Sequence, residues 1–570
     1  MKKTDIAAEE KAAHFLKEET QFRLGFLPTE QPHKKTSGLD KACKADLPAG
    51  IRMLLSVDRD IPPKAAEVFA SSQFKMLVSS IESSLSSEGR IIFSGCGATG
   101  RLSILLEAAW RKSFSPRNGT AERVLSIMTG GDYALIRSVE SFEDYMGFGR
   151  RQAKDLGISG ADTFIAVTEG GETSSVLGSA MQAADDGARV FLAFNNPAEL
   201  LNRKIERSRI AITDPRITVL DLCTGPMAIA GSTRMQATTT ELLILGWALQ
   251  EAFNACAGNS DRTENPVAIF EKLLDGLNGD KAVEAIASMI EFEEGIYSQG
   301  GLVTYFADNL LIDILTDTTE RNPTFMLPPF VKADDNVSPQ SWSFVKSPLY
   351  PTEKAWERVL GRAPRCLEWT KEDYISLNAS EKIAGNPPAV GSNEILKFRI
   401  GREKDERRFR VKPSAAVAVV SVSDTAQNME RFIEGFGRHK KNFSESRFLF
   451  IGEEENIPGA VTLPCRIEKS PLNLWEHLAV KLVMNTISTI TMVRMGRVES
   501  NWMSWVQTSC KKLIDRATRL IAELCGISYE EACRELFKSI AEIENTESTG
   551  KENPSPVQHA IGRITAKNSS

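Results

Sequence analysis

Histidine is scarce in this chain: only five of 570 residues are His, and no two stand at a metal-ligand spacing, so a zinc site has little to build on. The nine cysteines are scattered singly, with no CxxC pair; that is the distribution of reduced thiols, not of a disulfide framework. Positive charge is in no surplus, with 69 basic against 75 acidic residues, which argues against neutralising a nucleic-acid backbone. No segment reaches the run of about 18 apolar residues that a membrane span requires. The basic start, MKKTDIAAEEKAAHF, has no apolar stretch behind it. Low-complexity tracts and short-period repeats are absent as well. The expectation is a cytoplasmic protein with no metal, no other cofactor, no nucleic-acid partner and no membrane segment.

What is present is the make-up of an ordinary folded chain, 42% hydrophobic and 25% charged. At roughly 100 to 200 residues per domain, the length asks for three or four units. After a helical stretch over Lys64 to Leu85, short apolar runs alternate with helical periodicity as far as Gln250. The runs are RIIFSG (Arg90 to Gly95), RVLSIMTG (Arg123 to Gly130), DTFIAVT (Asp162 to Thr168), RVFLAF (Arg189 to Phe194) and ITVLDL (Ile217 to Leu222). Continuous apolar strands separated by helices imply a doubly wound, mainly parallel α/β sheet buried on both faces. A second α/β unit starts near GLVTYFAD (Gly301 to Asp308). It resumes at FRVK (Phe409 to Lys412), AAVAVVSV (Ala415 to Val422), RFLFIG (Arg447 to Gly452) and AVTLPC (Ala460 to Cys465). The proline-rich stretch between is too long for a plain loop and is expected to carry helices of its own. Beyond Glu499 the chain reads as helical, with Ser528 and Glu531 spaced as a capping box, and the tail from Thr546 reads as weakly ordered. The expected units are an N-terminal helical segment (1–60), a first α/β domain (61–290), a second (291–500), and a helical cap with tail (501–570).

Three turns can carry chemistry. SGCGATGR (Ser94 to Arg101) runs from a strand through glycines into a helix, where small residues and free N–H groups favour phosphate. It does not match GxxxxGK[ST], which excludes a Walker-type loop, and a glycine turn of this kind serves close packing equally well. TEGGETSSV (Thr168 to Val176) places hydroxyls and amides at the C-terminal sheet edge, although Thr and Ser also cap helices routinely. TGPMAIAGSTRMQATTTE (Thr224 to Glu241) offers Arg234 at a helix start, where a cation opposes the dipole and wants an anionic partner. A solvated arginine is the plainer reading. Three such turns at successive strand ends point together to a polyol-phosphate pocket. Among carboxylates, Glu140 and Glu143 in GGDYALIRSVESFED (Gly130 to Asp144) stand three apart on an expected helix and hence on one face, a pattern that a solvated surface also produces.

These segments, in this order, resemble the sugar isomerase (SIS) domain family, and within it the branch of N-acetylmuramic acid 6-phosphate etherase and glucokinase regulatory protein. The likeness extends to TEQPHKKTSGLD (Thr29 to Asp40), VMNTISTITMVRMGRV (Val483 to Val498) and KKLIDRATRLIAELCGISYEEA (Lys511 to Ala532). The resemblance implies two SIS-type, flavodoxin-like doubly wound domains with a C-terminal helical cap, the architecture of the regulatory protein; the etherase is similar to a one-unit version. By position, it implies that Gly97, Ala98, Thr99, Thr168 and Gly170 hold a sugar phosphate and that Glu143 contacts the sugar. It also implies that Glu172, Arg234 and Lys512 set the charge around the ligand.

Departures from the family pattern bear on mechanism. The etherase removes a proton from C2 and protonates the ether oxygen, work for two carboxylates. One has its counterpart in Glu143. The other belongs to a DASE-like stretch where this chain has Ala109; Glu107, two positions away, is turned by roughly 200° on a helix. Ala98 and Thr99 replace a Thr-Ser pair, and Glu172 stands where the etherase has Arg. The second unit keeps DTTERNPTF (Asp317 to Phe325), with Glu320 at the DASE-like glutamate, but its glycine turn has become ADNLLID. The expected function is a sugar-phosphate-responsive regulator binding a phosphorylated hexose or amino sugar, with a sugar kinase as protein partner. The alternative is a phosphosugar lyase or isomerase with Glu143 as base.

Overall fold

The computed structural model describes residues 3–114, 119–139, 141–256, 265–424, 426–453, 457–508, 510–545 and 554–569. An N-terminal helical segment, α1 (Lys3–Glu18), α2 (Leu39–Ala45), α3 (Leu47–Leu55) and α4 (Ile61–Ala70), leads into α5 (Ser72–Ser86). The one helix expected over Lys64 to Leu85 is thus two. Ser71 is extended, and its hydroxyl accepts the Phe74 N–H at 3.1 Å, so the chain stops and restarts there.

Each apolar run of the first unit forms its strand: β1 (Ile91–Gly95), β2 (Val124–Met128), β3 (Thr163–Val167), β4 (Arg189–Phe194) and β5 (Ile217–Asp221). All are parallel, in the order β2-β1-β3-β4-β5. Between them run α6 (Ala98–Ser113), α7 (Met146–Asp155), α8 (Ser174–Asp185), α9 (Ala198–Lys204) and α10 (Glu206–Ile212), and α11 (Gln236–Cys256) follows. The pleat divides β1 between two cores: Ile91 and Phe93 join α5, α6 and α11, while Ile92 faces the cluster that holds α7 and α8. Burial on both faces is why these strands read as continuous apolar runs.

After α12 (Pro266–Leu277) and α13 (Asp280–Tyr297), a second parallel sheet forms from β6 (Leu302–Phe306), β7 (Ser343–Lys346), β8 (Ser414–Ser421), β9 (Glu445–Ile451) and β10 (Val461–Leu463), in the order β10-β9-β8-β6-β7. Helix α14 (Leu311–Phe325) follows β6. The proline-rich stretch carries α15 (Thr352–Leu360), α16 (Lys371–Ser376), α17 (Glu381–Gly385) and α18 (Ser392–Ile395), with α19 (Glu406–Phe409) next. FRVK, read as part of the second sheet, is not a strand: Phe409 ends α19 and the chain bends into β8. The helical turn lets Arg408 point inward and donate to Thr304 Oγ1 and the Ser341 and Val303 carbonyls at 2.7–2.9 Å.

Helix α20 (Ala426–Lys440) lies between β8 and β9. Helix α21 (Leu474–Arg494) packs against α11, α13 and α14, joining both sheets in one apolar core. The following region is not wholly helical, because β11 (Val498–Glu499) and β12 (Trp502–Met503) pair as an antiparallel ribbon before α22 (Lys511–Cys525), α23 (Tyr529–Glu544) and α24 (Pro556–Ser569). Ser528 caps α23 through the Glu531 N–H at 3.2 Å. Trp502 is buried and Trp505 lies under the Arg497 guanidinium. Of the tail expected to be weakly ordered, residues 546–553 lie outside the described residues. Its end instead enters α24, which packs on α22 and α23. No helix among the described residues is long and apolar enough to cross a membrane.

Candidate functional site

The glycine turn after β1 is dictated by sterics. A Cβ on Gly95 would come within 2.5 Å of the Thr99 backbone, and Gly97 adopts φ +58°. The chain can then fold sharply into α6, whose first N–H groups have no carbonyl a turn behind them. The Thr99 hydroxyl closes the turn from inside, accepting the Cys96 N–H at 3.0 Å and donating to the Cys96 carbonyl at 2.9 Å. It is fully buried, so what this bend offers outward is backbone. After β3, the Thr168 and Thr173 hydroxyls bond each other at 3.0 Å and the Gly171 N–H bonds the Thr168 carbonyl. Ser175 reaches Thr129, just beyond β2, at 2.9 Å. The bend after β5 is tied from outside: the Gly231 N–H bonds the Thr29 carbonyl, and the Ala230 N–H bonds Asn501. Asn196, after β4, donates to both Thr29 Oγ1 and the Gly170 carbonyl. The N-terminal segment and the C-terminal region therefore lace the rim of the first sheet together.

Charge gathers above this rim. Lys512, in the first turn of α22, donates to Glu172 at 3.1 Å, and Arg207 holds the other Glu172 oxygen. Burial alone would raise the Glu172 carboxyl, but Lys512 and Arg207 bring it below its ordinary value. Glu143 sits in a one-turn 3-10 helix, Phe142–Asp144, rather than on the expected α-helix; Glu140 lies outside the described residues. Burial raises the Glu143 carboxyl, Lys512 opposes, and Glu172 and Asp144 push the same way as burial. A carboxyl so raised can hold or release a proton closer to neutrality than a free one.

Arg234 is already claimed by protein partners. It is buried, and its Nη atoms donate to Asp317 at 3.0 Å and to Asn485, Ser488 and Thr489 of α21. It forms the wall of a cavity of about 40 Å³ between the two units, lined also by Ala98, Arg101, Glu320 and Lys481. Ala109 is buried. Glu107 is locked beneath Arg111 and Arg362, each at 2.9 Å, and Arg365. Burial would raise its carboxyl; Arg362 and Arg365 outweigh that and lower it, so it is a counter-ion and not an acid. Glu320 does reach the first unit, paired with Arg101 at 2.6 Å. In the second unit, the turn after β6 is occupied by side chains: Asn309 bonds Asp424 at 2.9 Å, and Asp308 lies 3.4 Å from Arg358.

Sequence reasoning passed over Glu169, which is buried beside Thr233. Burial pushes its carboxyl up to about 7 against the pull of Lys512. The signal was present, since Glu169 opens the same turn as Glu172. Lys481 and Glu241 left no comparable signal. Burial pushes the Lys481 ammonium down to about 7 while it donates to the Arg234 carbonyl at 2.8 Å. Neither Glu241 carboxyl oxygen has a hydrogen-bond partner among the described residues, and burial raises that group well above its ordinary value.

Residues 73–184 match the family model described as the glucokinase regulatory protein N-terminal SIS domain. N-acetylmuramic acid 6-phosphate etherase 1 of Bacillus licheniformis is 31% identical over 222 residues, covering 39% of this chain and 67% of that protein. The N-acetylmuramic acid 6-phosphate etherase of Thermobifida fusca is 32% identical over 219 residues, covering 38% and 65%. The chain thus spans about two thirds of the length of the curated relatives it matches. Among solved structures, tagatose-6-phosphate ketose/aldose isomerase from Escherichia coli aligns with 78% of this chain and 92% of its own, at 12% identity and a TM-score of 0.43.

Proposed function

Since the chain belongs to the SIS-domain family, in the branch of N-acetylmuramic acid 6-phosphate etherase and glucokinase regulatory protein, we propose that it binds a phosphorylated hexose or amino sugar at the C-terminal edge of its first sheet. The observation that carries this reading is the meeting of that rim with Lys512. The bends at Gly97 to Thr99 and Thr168 to Glu172 offer backbone amides, and the ammonium of α22 stands 3.1 Å from Glu172. The phosphate takes the amides of the first bend, and Glu143 accepts from a sugar hydroxyl. Arg234 acts through the cavity wall and not as a direct clamp.

The same arrangement supports a regulator. A doubly charged ester arriving at the rim competes with Glu172 for Lys512, so occupancy changes how α22 is held and can be reported to a protein partner, a sugar kinase by the family likeness. Ala109, with Glu107 locked by arginines, leaves the DASE-like position of the first unit without a free carboxylate. The enzyme reading rests on one observation: Glu143 and Glu169 are both raised carboxyls at this rim, and Glu320 is nearby. Incubation with N-acetylmuramic acid 6-phosphate separates the two readings. No lactate is expected; steady lactate release, abolished in Glu143→Gln, would retire the regulator. Titrated against fructose 6-phosphate, Glu143→Ala is expected to bind about tenfold or more weakly than wild type, the size of one charge-assisted hydrogen bond. Indistinguishable titrations would remove Glu143 from the site.

A further inference from the structure

We propose that the second unit carries a separate site for a small oxyanion, in the pocket beside edge strand β7 that Lys346, Lys404, Arg408 and His439 share. The register pairs Phe306 with Lys346 and Thr304 with Phe344, so Lys346 lies on the sheet face where Phe306 packs against α20. The pocket between β6, β7 and the end of α20 holds a cavity of about 10 Å³, room for about one water, at the bottom of about 270 Å³ of space that includes open solvent. Lys346 and Arg408 are 3% and 1% exposed. Among the described residues, every hydrogen bond they make goes to a neutral oxygen: Lys346 to the Arg399 carbonyl, and Arg408 to Thr304 Oγ1 and the Ser341, Val303 and Trp342 carbonyls. Buried charges are ordinarily paired, because desolvating an unpaired ion is costly.

Two carboxylates line the same pocket, and each is bonded elsewhere. Glu403 accepts the Thr352 N–H at 2.7 Å and its hydroxyl at 2.8 Å, while Asp405 accepts from Arg407 at 3.2 Å. Two of the three Lys346 donors remain for a ligand. The donors converge from β7, from the chain before α19, from α19 and from the end of α20, which suits an ion with several oxygens better than a single-atom halide. His439 reports the field they create. Burial, then Lys346, Arg438 and Lys404, push its ring down to about 4, with Glu403 opposing. Burial likewise brings Lys346 down to about 8, with Asp405 and Glu403 opposing and Arg408 and Arg399 adding to it. An anion seated among these cations opposes both shifts.

The test uses the full-length chain and ring-nitrogen NMR, with the His439 signal assigned by loss in His439→Gln. Replacing chloride by inorganic phosphate at equal ionic strength is expected to raise the His439 midpoint by at least one pH unit. In Lys346→Met the midpoint starts higher and phosphate no longer moves it. Phenyl phosphate in place of phosphate shows whether the head of a larger ester enters; movement by either probe supports the site, and movement by neither overturns it. A thermal melt at pH 6 provides an independent reading, in a Lys512→Met background that weakens the first rim. Phosphate should raise the Tm of that variant more than that of Lys512→Met/Lys346→Met, and equal shifts overturn the proposal. Failure here leaves the first rim untouched, since none of these residues lies on it.

Discussion

Glu30→Ala is expected to lower the stability of the folded chain by about 3–5 kcal/mol, read from urea unfolding near neutral pH, the cost of stripping one partner from a buried ion cluster. Glu30 is 2% exposed. It accepts from Arg516 at 2.9 and 2.6 Å and from Arg519 at 2.8 Å, with Lys512 at 4.0 Å. Its loss leaves those cations facing one another where α22 meets the N-terminal segment. The pH dependence has a definite sign. Burial would raise the Glu30 carboxyl, but Arg516, Arg519 and Lys512 overcome this and hold it well below the usual carboxylate range. A carboxyl depressed in the folded state stabilises fully above its unfolded value, about 4.3, and loses that contribution as pH falls below it. The gap between wild type and Glu30→Ala should therefore narrow on acidification below about pH 4.5. A gap that is small at pH 7, or that widens in acid, would show that the cluster does not hold the cap.

Lys512→Met should weaken binding of a hexose phosphate by about 10- to 100-fold in calorimetric titration, the effect of removing one hydrogen bond to a charged group. The side chain is three-quarters buried between Glu172 and Glu30. Both carboxylates keep arginine partners in its absence, Arg207 for the first and Arg516 with Arg519 for the second. Loss of affinity can thus be separated from loss of fold. Lys511→Met is the control: its ammonium pairs with Glu19 at 2.6 Å, and the substitution should leave affinity unchanged. Equal affinity in wild type and Lys512→Met would remove the cap from the site.

What was legible in the sequence was whatever depends on neighbours along the chain. The strands of the first sheet are mostly apolar because both faces are covered, and the glycine turns are local necessities. Strand β7 was not legible: it is short, it ends in Lys346, and it lies within a proline-rich stretch. FRVK misled for the opposite reason, since its alternating pattern mimics a strand while Phe409 ends the helical turn of α19. Arg234 shows the limit most clearly. Its residue type and helix-start position suit an anion, but the partners that claim it, Asp317 and Asn485, lie 83 and 251 positions away. Thr99 offered a hydroxyl by sequence, and only the turn geometry reveals that Cys96 consumes it. Glu169 was overshadowed by Glu172 because nothing local reveals which of two nearby glutamates is buried without a cation in contact.

The most direct test of the central claim is amide hydrogen exchange with and without saturating fructose 6-phosphate. Slowed exchange is predicted in peptides covering Gly97 to Arg101 and Thr168 to Thr173, together with a change at Lys511 to Asp515. No change is predicted across Ala307 to Leu311 of the second unit. Protection confined to the second unit, or protection nowhere despite measurable binding, would contradict the account.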